Sequence, residues 1–228
     1  TQPLAWTGMD AWLAVICYNT VEGKKKNIPA PASWNDLTKS VYKNEIVMPN
    51  PASSGTGYQQ VYAWIQMMGE SQAWSYMDKV HDNIAVYTHS GSAPCVQAGK
   101  GERVIGIGFD MRGAREKTQG APIDIVIPTD GVGFDLEATA IVRGTRNLEA
   151  AQRLADWTVS KEANELYGRY FALVAHPDDT VGTALHELSA GDAVSAVVKG
   201  AGSRQISARE PIPRFHKIAL RDIQKGEK

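Results

Sequence analysis

What narrows the possible folds is an alternation. Short apolar runs, each too short for a confident helix, are separated by stretches with helical spacing, as in an α/β fold. Residues 11–18 (AWLAVICY) read as a buried strand, and 45–48, 84–87, 104–109, 123–127 and 136–142 read as further strands. The clearest helix carries Tyr58, Val61, Tyr62, Ile65 and Met68 at i, i+3, i+4 and i+7 spacing, until Gly69 stops it. Others are expected over 71–80 and 148–157, followed by one capped by Ser160 with Ala163, Leu166, Tyr167 and Tyr170 on one face. Ser33 and Asp36 hold the capping-box spacing of a helix entry. Past Pro177 no alternation is legible, and residues 199–228 are polar and Arg-rich.

The 228 residues suffice for a real core, and 43% apolar with 21% charged is ordinary globular usage. A net charge of −1 gives no global positive field for nucleic acid or an anionic membrane. The one basic run, Lys24, Lys25 and Lys26 beside Gly23, reads as a solvated turn. No apolar run reaches the roughly 18–20 residues that cross a bilayer. The first residues show neither the basic nor the apolar region of a signal peptide. Cys17 and Cys95 are too few for a disulfide scaffold and read as small buried residues, leaving the redox compartment undecided.

Several catalytic signatures are missing: a phosphate loop, a G-x-S-x-G elbow, and the third glycine that Gly106 and Gly108 would need for a dinucleotide fingerprint. His186 and Glu187 lack the second histidine of a zinc-protease helix, and the five histidines have no metal-ligand spacing. No nucleophile–base pair can be named, so an enzyme is not expected, and neither a cofactor nor a metal is implied.

Two loops of one kind stand out. Ser53, Ser54, Gly55 and Thr56 lie between a strand and a helix start, and Ser90, Gly91 and Ser92 between a strand and a short helical stretch. Unpaired N–H groups, the helix dipole and small hydroxyls together suit an anion. The competing reading is an ordinary N-cap in a glycine turn. Asp110, Asp135 and Glu137 are candidate counter-charges for an amine, although Asp135 and Glu137, two apart on a strand, could simply share an exposed face. Tyr58 and Tyr87, beside the two loops, are candidate pocket walls, whereas Tyr62, Trp64 and Trp74 read as core.

From residue 6 to residue 177 the sequence resembles the 2-aminoethylphosphonate-binding proteins of ABC transporters, within the ferric-ion-type group of type II periplasmic binding proteins. The matching words are PASWNDL (31–37), MPNPASSGTGY (48–58), YTHSGSAPC (87–95), GERVIGIGFD (101–110), GAPIDIVIP (120–128), GFDLEATAIVRGT (133–145) and LADWTVSKEANELY (154–167).

The resemblance implies an α/β fold of two lobes joined by crossing strands, with ligand between them. Here one near-complete lobe, a mixed sheet flanked by helices, is expected with remnants of the other. Residues 1–20 would be the inter-lobe crossing segment, 21–140 the second lobe with the ligand loops, 141–177 the return segment and first-lobe helices, and 178–228 a divergent tail. The helices around 147–171 would then expose apolar surface. By the same resemblance, the two serine loops would grip a phosphonate and Asp110, Asp135 or Glu137 would meet an ammonium group. The partners would be that ligand and ABC permease subunits, outside the cytoplasmic membrane. A ferric-ion or other oxyanion carrier is the nearest alternative. It would lack the tyrosine pair that its relatives carry near the strand reading Gly108, Phe109, Asp110. A lone lobe serving as an interaction or sensor module is the alternative from another class.

Overall fold

The structure, a computed structural model, describes residues 6–169 and the backbone of 173–174. Tyr170, the end of the expected return segment and the 178–228 tail lie outside the described residues.

Strand β1 (Thr7–Asn19) extends the expected apolar strand at both ends. Asn19 turns it into helix α1 (Thr20–Lys26) by accepting the N–H groups of Val21 and Glu22. The basic triplet is therefore the last turn of a helix rather than a solvated turn, at the end where the dipole favours cations. Ser33 and Asp36 do exchange capping-box hydrogen bonds, but around a 3₁₀ turn, Asn35–Thr38, followed by a second at Ser40–Tyr42. Then come β2 (Ile46–Pro49), α2 (Gly55–Met68), α3 (Glu70–His81), β3 (Ile84–Thr88), α4 (Ala93–Gly99) and β4 (Ile105–Phe109). They are followed by α5 (Asp110–Thr118), β5 (Ile123–Val126), β6 (Phe134–Thr139), α6 (Leu148–Thr158), α7 (Lys161–Tyr167) and β7 (Leu173–Val174). Ile141 and Val142, expected in the sixth strand, lie beyond its end, and Val142 is 77% exposed.

The sheet is mixed, in the order β3-β2-β4-β1-β5. β2 runs parallel to β3 and β4, whereas β1 is antiparallel to β4 and β5. β1 serves two sets of partners. Its residues from Ala14 onward pair with β4 and β5; its residues from Thr7 to Leu13 pair with β6, and Asp10 and Ala11 also with β7.

One core lies on the face covered by α2 and α3. There Trp64 packs edge-on to both Trp34 (5.6 Å) and Tyr76 (5.1 Å). The polar atoms buried with these rings are matched: Trp34 Nε1 donates to Gly131 O, and the Tyr76 hydroxyl donates to Trp34 O. α2 therefore buries Gln60, Val61, Ala63 and Trp64, while the expected face residues Tyr58, Tyr62, Ile65 and Met68 are only half-buried. The second core, on the opposite face, contains Leu13, Val15, Cys17, Cys95, Ala98 and Ile123. Gly106 and Gly108 let α4 press onto β4, since a Cβ at the first would collide with the Pro94 carbonyl and at the second with Cys95 Sγ. Cys17 and Cys95 are fully buried, as read, but they are also joined in a disulfide, with Cα atoms 5.3 Å apart. The bond ties β1 to the start of α4. Helices α6 and α7 differ from the rest: Leu148, Leu154, Trp157 and Leu166 are between 41% and 59% exposed.

Candidate functional site

A cleft of about 540 Å³ opens along the ends of the strands, beside the place where β1 changes partners. Its first wall is the β2–α2 turn. Ser54 is the N-cap of α2, with its hydroxyl accepting the Gly57 N–H at 3.4 Å, and Ser53 and Ser54 donate their own N–H groups to Asn50 O. Helix geometry leaves the N–H groups of Gly55 and Thr56 without helical partners at the positive end of a fourteen-residue helix. Ser53 Oγ lies 2.8 Å from His89 Nδ1, and Ser53, Ser54, Gly55, Thr56 and His89 all line the cleft. A serine–histidine pair that the sequence did not offer is thus present, although no described hydrogen bond orients the other ring nitrogen.

Gly91 closes over this wall. A Cβ there would collide with the Thr56 side chain, so the two loops are in contact. A second wall is acidic: Asp135 and Glu137 line the cleft from β6, and Asp135 Oδ2 accepts from Gln59 Nε2 at 2.6 Å. Tyr58, Trp12 and Phe109 supply apolar surface, the last two edge to face at 5.9 Å, and Met111 completes the lining.

Of the residues expected from sequence, Ser53, Ser54, Gly55, Thr56, Tyr58, Gly91, Asp135 and Glu137 come together. Four others do not line this cleft. Ser90 and Ser92 bond within their own turn, where Ser90 Oγ accepts the Ser92 N–H and the Ser90 carbonyl accepts Thr88 Oγ1. Tyr87 faces a small apolar recess beside Met48 and Met77, and its hydroxyl is 2.8 Å from His81 Nδ1. Asp110 is 1% exposed and turned into the protein, where its Oδ1 accepts the Leu13 N–H at 3.1 Å. Sequence reasoning missed Trp12, Gln59, His89, Phe109 and Met111. His89 had a usable signal in its position beside the Ser90 loop, whereas Trp12 sat inside an apolar run that gave none.

Behind the acidic wall, none of the described ion pairs includes Asp10 or Asp110. Asp10 is buried opposite Glu137 in the β1–β6 ladder. Burial first, then the charges of Glu137 and Asp110, push its carboxyl up to about 7. Asp110 is pushed up to about 6, by burial against the pull of backbone N–H groups from Leu13, Met111 and its own residue. Among the described residues, no cluster of His, Cys, Asp or Glu could hold a metal ion, and no helix is long and apolar enough to cross a membrane.

Known proteins share this fold. The chain superposes on the periplasmic binding protein AfuA from Actinobacillus pleuropneumoniae, solved with exogenous fructose-6-phosphate bound, with a TM-score of 0.73 and 30% identity. That match covers 87% of this chain and 68% of AfuA. The periplasmic binding protein P5PA gives 0.68 and 28%, covering 86% of this chain and 67% of that one. The ferric binding protein from Campylobacter jejuni, at 0.64 and 16% with 88% and 70% covered, shares the fold alone. These likenesses place the chain in the type II periplasmic-binding-protein fold. An uncharacterized protein of Haemophilus influenzae is 38% identical over 136 residues, 60% of this chain, and the chain spans about two fifths (39%) of that relative's length. Residues 170–228, a span that includes the stretch past Pro177 where the sequence shows no alternation, match the SAF domain of altronate/galactarate dehydratases. Residues 3–182 match the bacterial extracellular solute-binding proteins, and the chain belongs to that family.

Proposed function

We propose that the chain is the solute-binding component of an ABC-type uptake system, working outside the cytoplasmic membrane, and that its solute is an organophosphonate carrying an amine, 2-aminoethylphosphonate. One observation carries this reading: a single cleft is lined both by neutral donors and by carboxylates. The free N–H groups of Gly55 and Thr56, with the hydroxyls of Ser53 and Thr56 and the ring of His89, suit a phosphonate's oxygens. Asp135 and Glu137 suit an ammonium group in the same cleft, and Tyr58, Trp12 and Phe109 exclude water there. Asp110 acts from behind, through charge rather than contact. Residues 1–20 serve as the crossing segment and 21–140 as the ligand lobe, and ABC permease subunits are the protein partners.

A second reading has support of its own. AfuA, 30% identical, was solved with fructose-6-phosphate, and the same donor wall would take the phosphate of a sugar ester. Isothermal titration calorimetry separates the two, using 2-aminoethylphosphonate, phosphate, ethanolamine and fructose-6-phosphate in turn. Saturable heat with 2-aminoethylphosphonate but not with phosphate or ethanolamine is expected. Heat with fructose-6-phosphate alone transfers the assignment to sugar phosphates, and silence with all four removes both ligands. In the first case Thr56→Val weakens binding roughly tenfold or more while leaving folding intact, as expected for a lost hydrogen bond to a charged group. Unchanged affinity would take Thr56 out of the site.

A further inference from the structure

Three acidic residues flank the point where β1 passes from one set of partners to the other. Asp10 stands opposite Glu137 in the β1–β6 ladder. Three residues further along β1, Leu13 donates its N–H to Asp110 at the start of α5. Asp10 and Asp110 are 5% and 1% exposed, and each keeps one fully buried oxygen, Oδ1 and Oδ2 respectively, without a hydrogen-bond partner. Two such acceptors could not persist as bare charges, because an unsatisfied buried carboxylate is among the costliest groups a protein can hold.

We propose that Asp10 and Asp110 together form one proton site, buried at the seam of the two strand ladders, with Glu137 as its link to the cleft. Protonation turns one carboxyl into a donor and halves the charge held at the seam. Among the described residues, backbone N–H groups reach Asp110 but no side-chain cation pairs with either aspartate. β6 presents Glu137, with Asp135 two residues before it, and α5 presents only Asp110. α7 contributes Tyr167, whose hydroxyl lies 3.9 Å from Met9 Sδ. None of the described ion pairs includes Asp10, Asp110 or Glu137. Because Glu137 both lines the cleft and faces Asp10, charge arriving at the acidic wall is felt at the proton site.

The sign of the pH effect follows. A carboxyl raised from 3.8 to about 7 binds more protons folded than unfolded across that window. Its contribution to stability is therefore whole below about pH 4 and is lost as the pH rises through 7. The test needs no ligand, so its failure is separate from failure of the ligand assignment. Thermal unfolding of the full chain is followed from about pH 5 to about pH 8 for wild type, Asp10→Asn, Asp110→Asn and Glu137→Gln. The wild-type midpoint should fall by about 5 °C more than that of Asp10→Asn, which keeps the shape without the charge. Asp110→Asn should also flatten the fall, and Glu137→Gln should end it at a lower pH. Infrared difference spectra should show the carbonyl band of a protonated carboxylic acid in wild type at about pH 6, lost in either asparagine variant. Parallel unfolding curves for wild type and Asp10→Asn, or no such band in wild type, would overturn the proposal.

Discussion

The two serine–glycine loops look alike in sequence and are put to different uses. The first, at residues 53–56, opens a fourteen-residue helix and turns its N-terminus toward the cleft. The second, at residues 90–92, precedes a seven-residue helix and satisfies its own polar groups: Ser90 accepts from Ser92, and Ser92 makes no side-chain cap. Only Gly91 of that loop reaches the cleft, and it does so as space rather than as a donor. A helix start becomes a place for a ligand when its N–H groups remain unspent at an open surface. The residue types alone do not decide it.

The difference can be broken most severely through the second loop's tether. Cys17→Ser with Cys95→Ser removes a bond that closes a 78-residue separation. It should lower stability by about 4 kcal/mol in denaturant unfolding, and reductant should produce the same loss in wild type alone. Next comes the contact between the loops. Gly91→Ala drives a methyl into Thr56 and should cost about 2 kcal/mol by the same measurement. The comparison is sharpest in the two caps. Ser54→Ala removes the α2 cap and should cost about 1 kcal/mol, whereas Ser92→Ala, with no cap bond to lose, should stay within about 0.5 kcal/mol. Equal losses from those two serines would mean that the loops are not distinguished by capping.

The strands were legible because burial on both faces writes itself as an apolar run, as in the stretch ending at Tyr18. Helix α5 was not, for the opposite reason. It buries Asp110, Gly113, Ala114 and Glu116, so the face turned inward has no apolar period. The face of α2 was misjudged because Trp64 docks between Trp34 and Tyr76, from distant parts of the chain, and rotates the helix away from its own apolar stripe. The donor wall and the acidic wall of the cleft were each visible as short motifs. Their convergence was not, since β6 is brought to the cleft by its pairing with β1 and tied to α2 by the Gln59–Asp135 hydrogen bond, both between residues far apart in sequence. The disulfide was equally hidden: two cysteines without a spacing pattern carry no sign of proximity.

Strand β1 sets the register of four neighbours at once, β4 and β5 through one half and β6 and β7 through the other. A one-residue slip in an ordinary edge strand reverses a single row of side chains. Here an insertion near Leu13 would offset the two halves against each other, so one pair of ladders could keep its alignment only by surrendering that of the other. Asp10 would then leave its place opposite Glu137, or Cys17 its place beside Cys95. Lengthening is best borne in the turns that join the elements, or at the bulge β1 already carries between Gly8 and Asp10, and the stretch of this strand from Asp10 to Asn19 is where a change in chain length has nowhere to be absorbed.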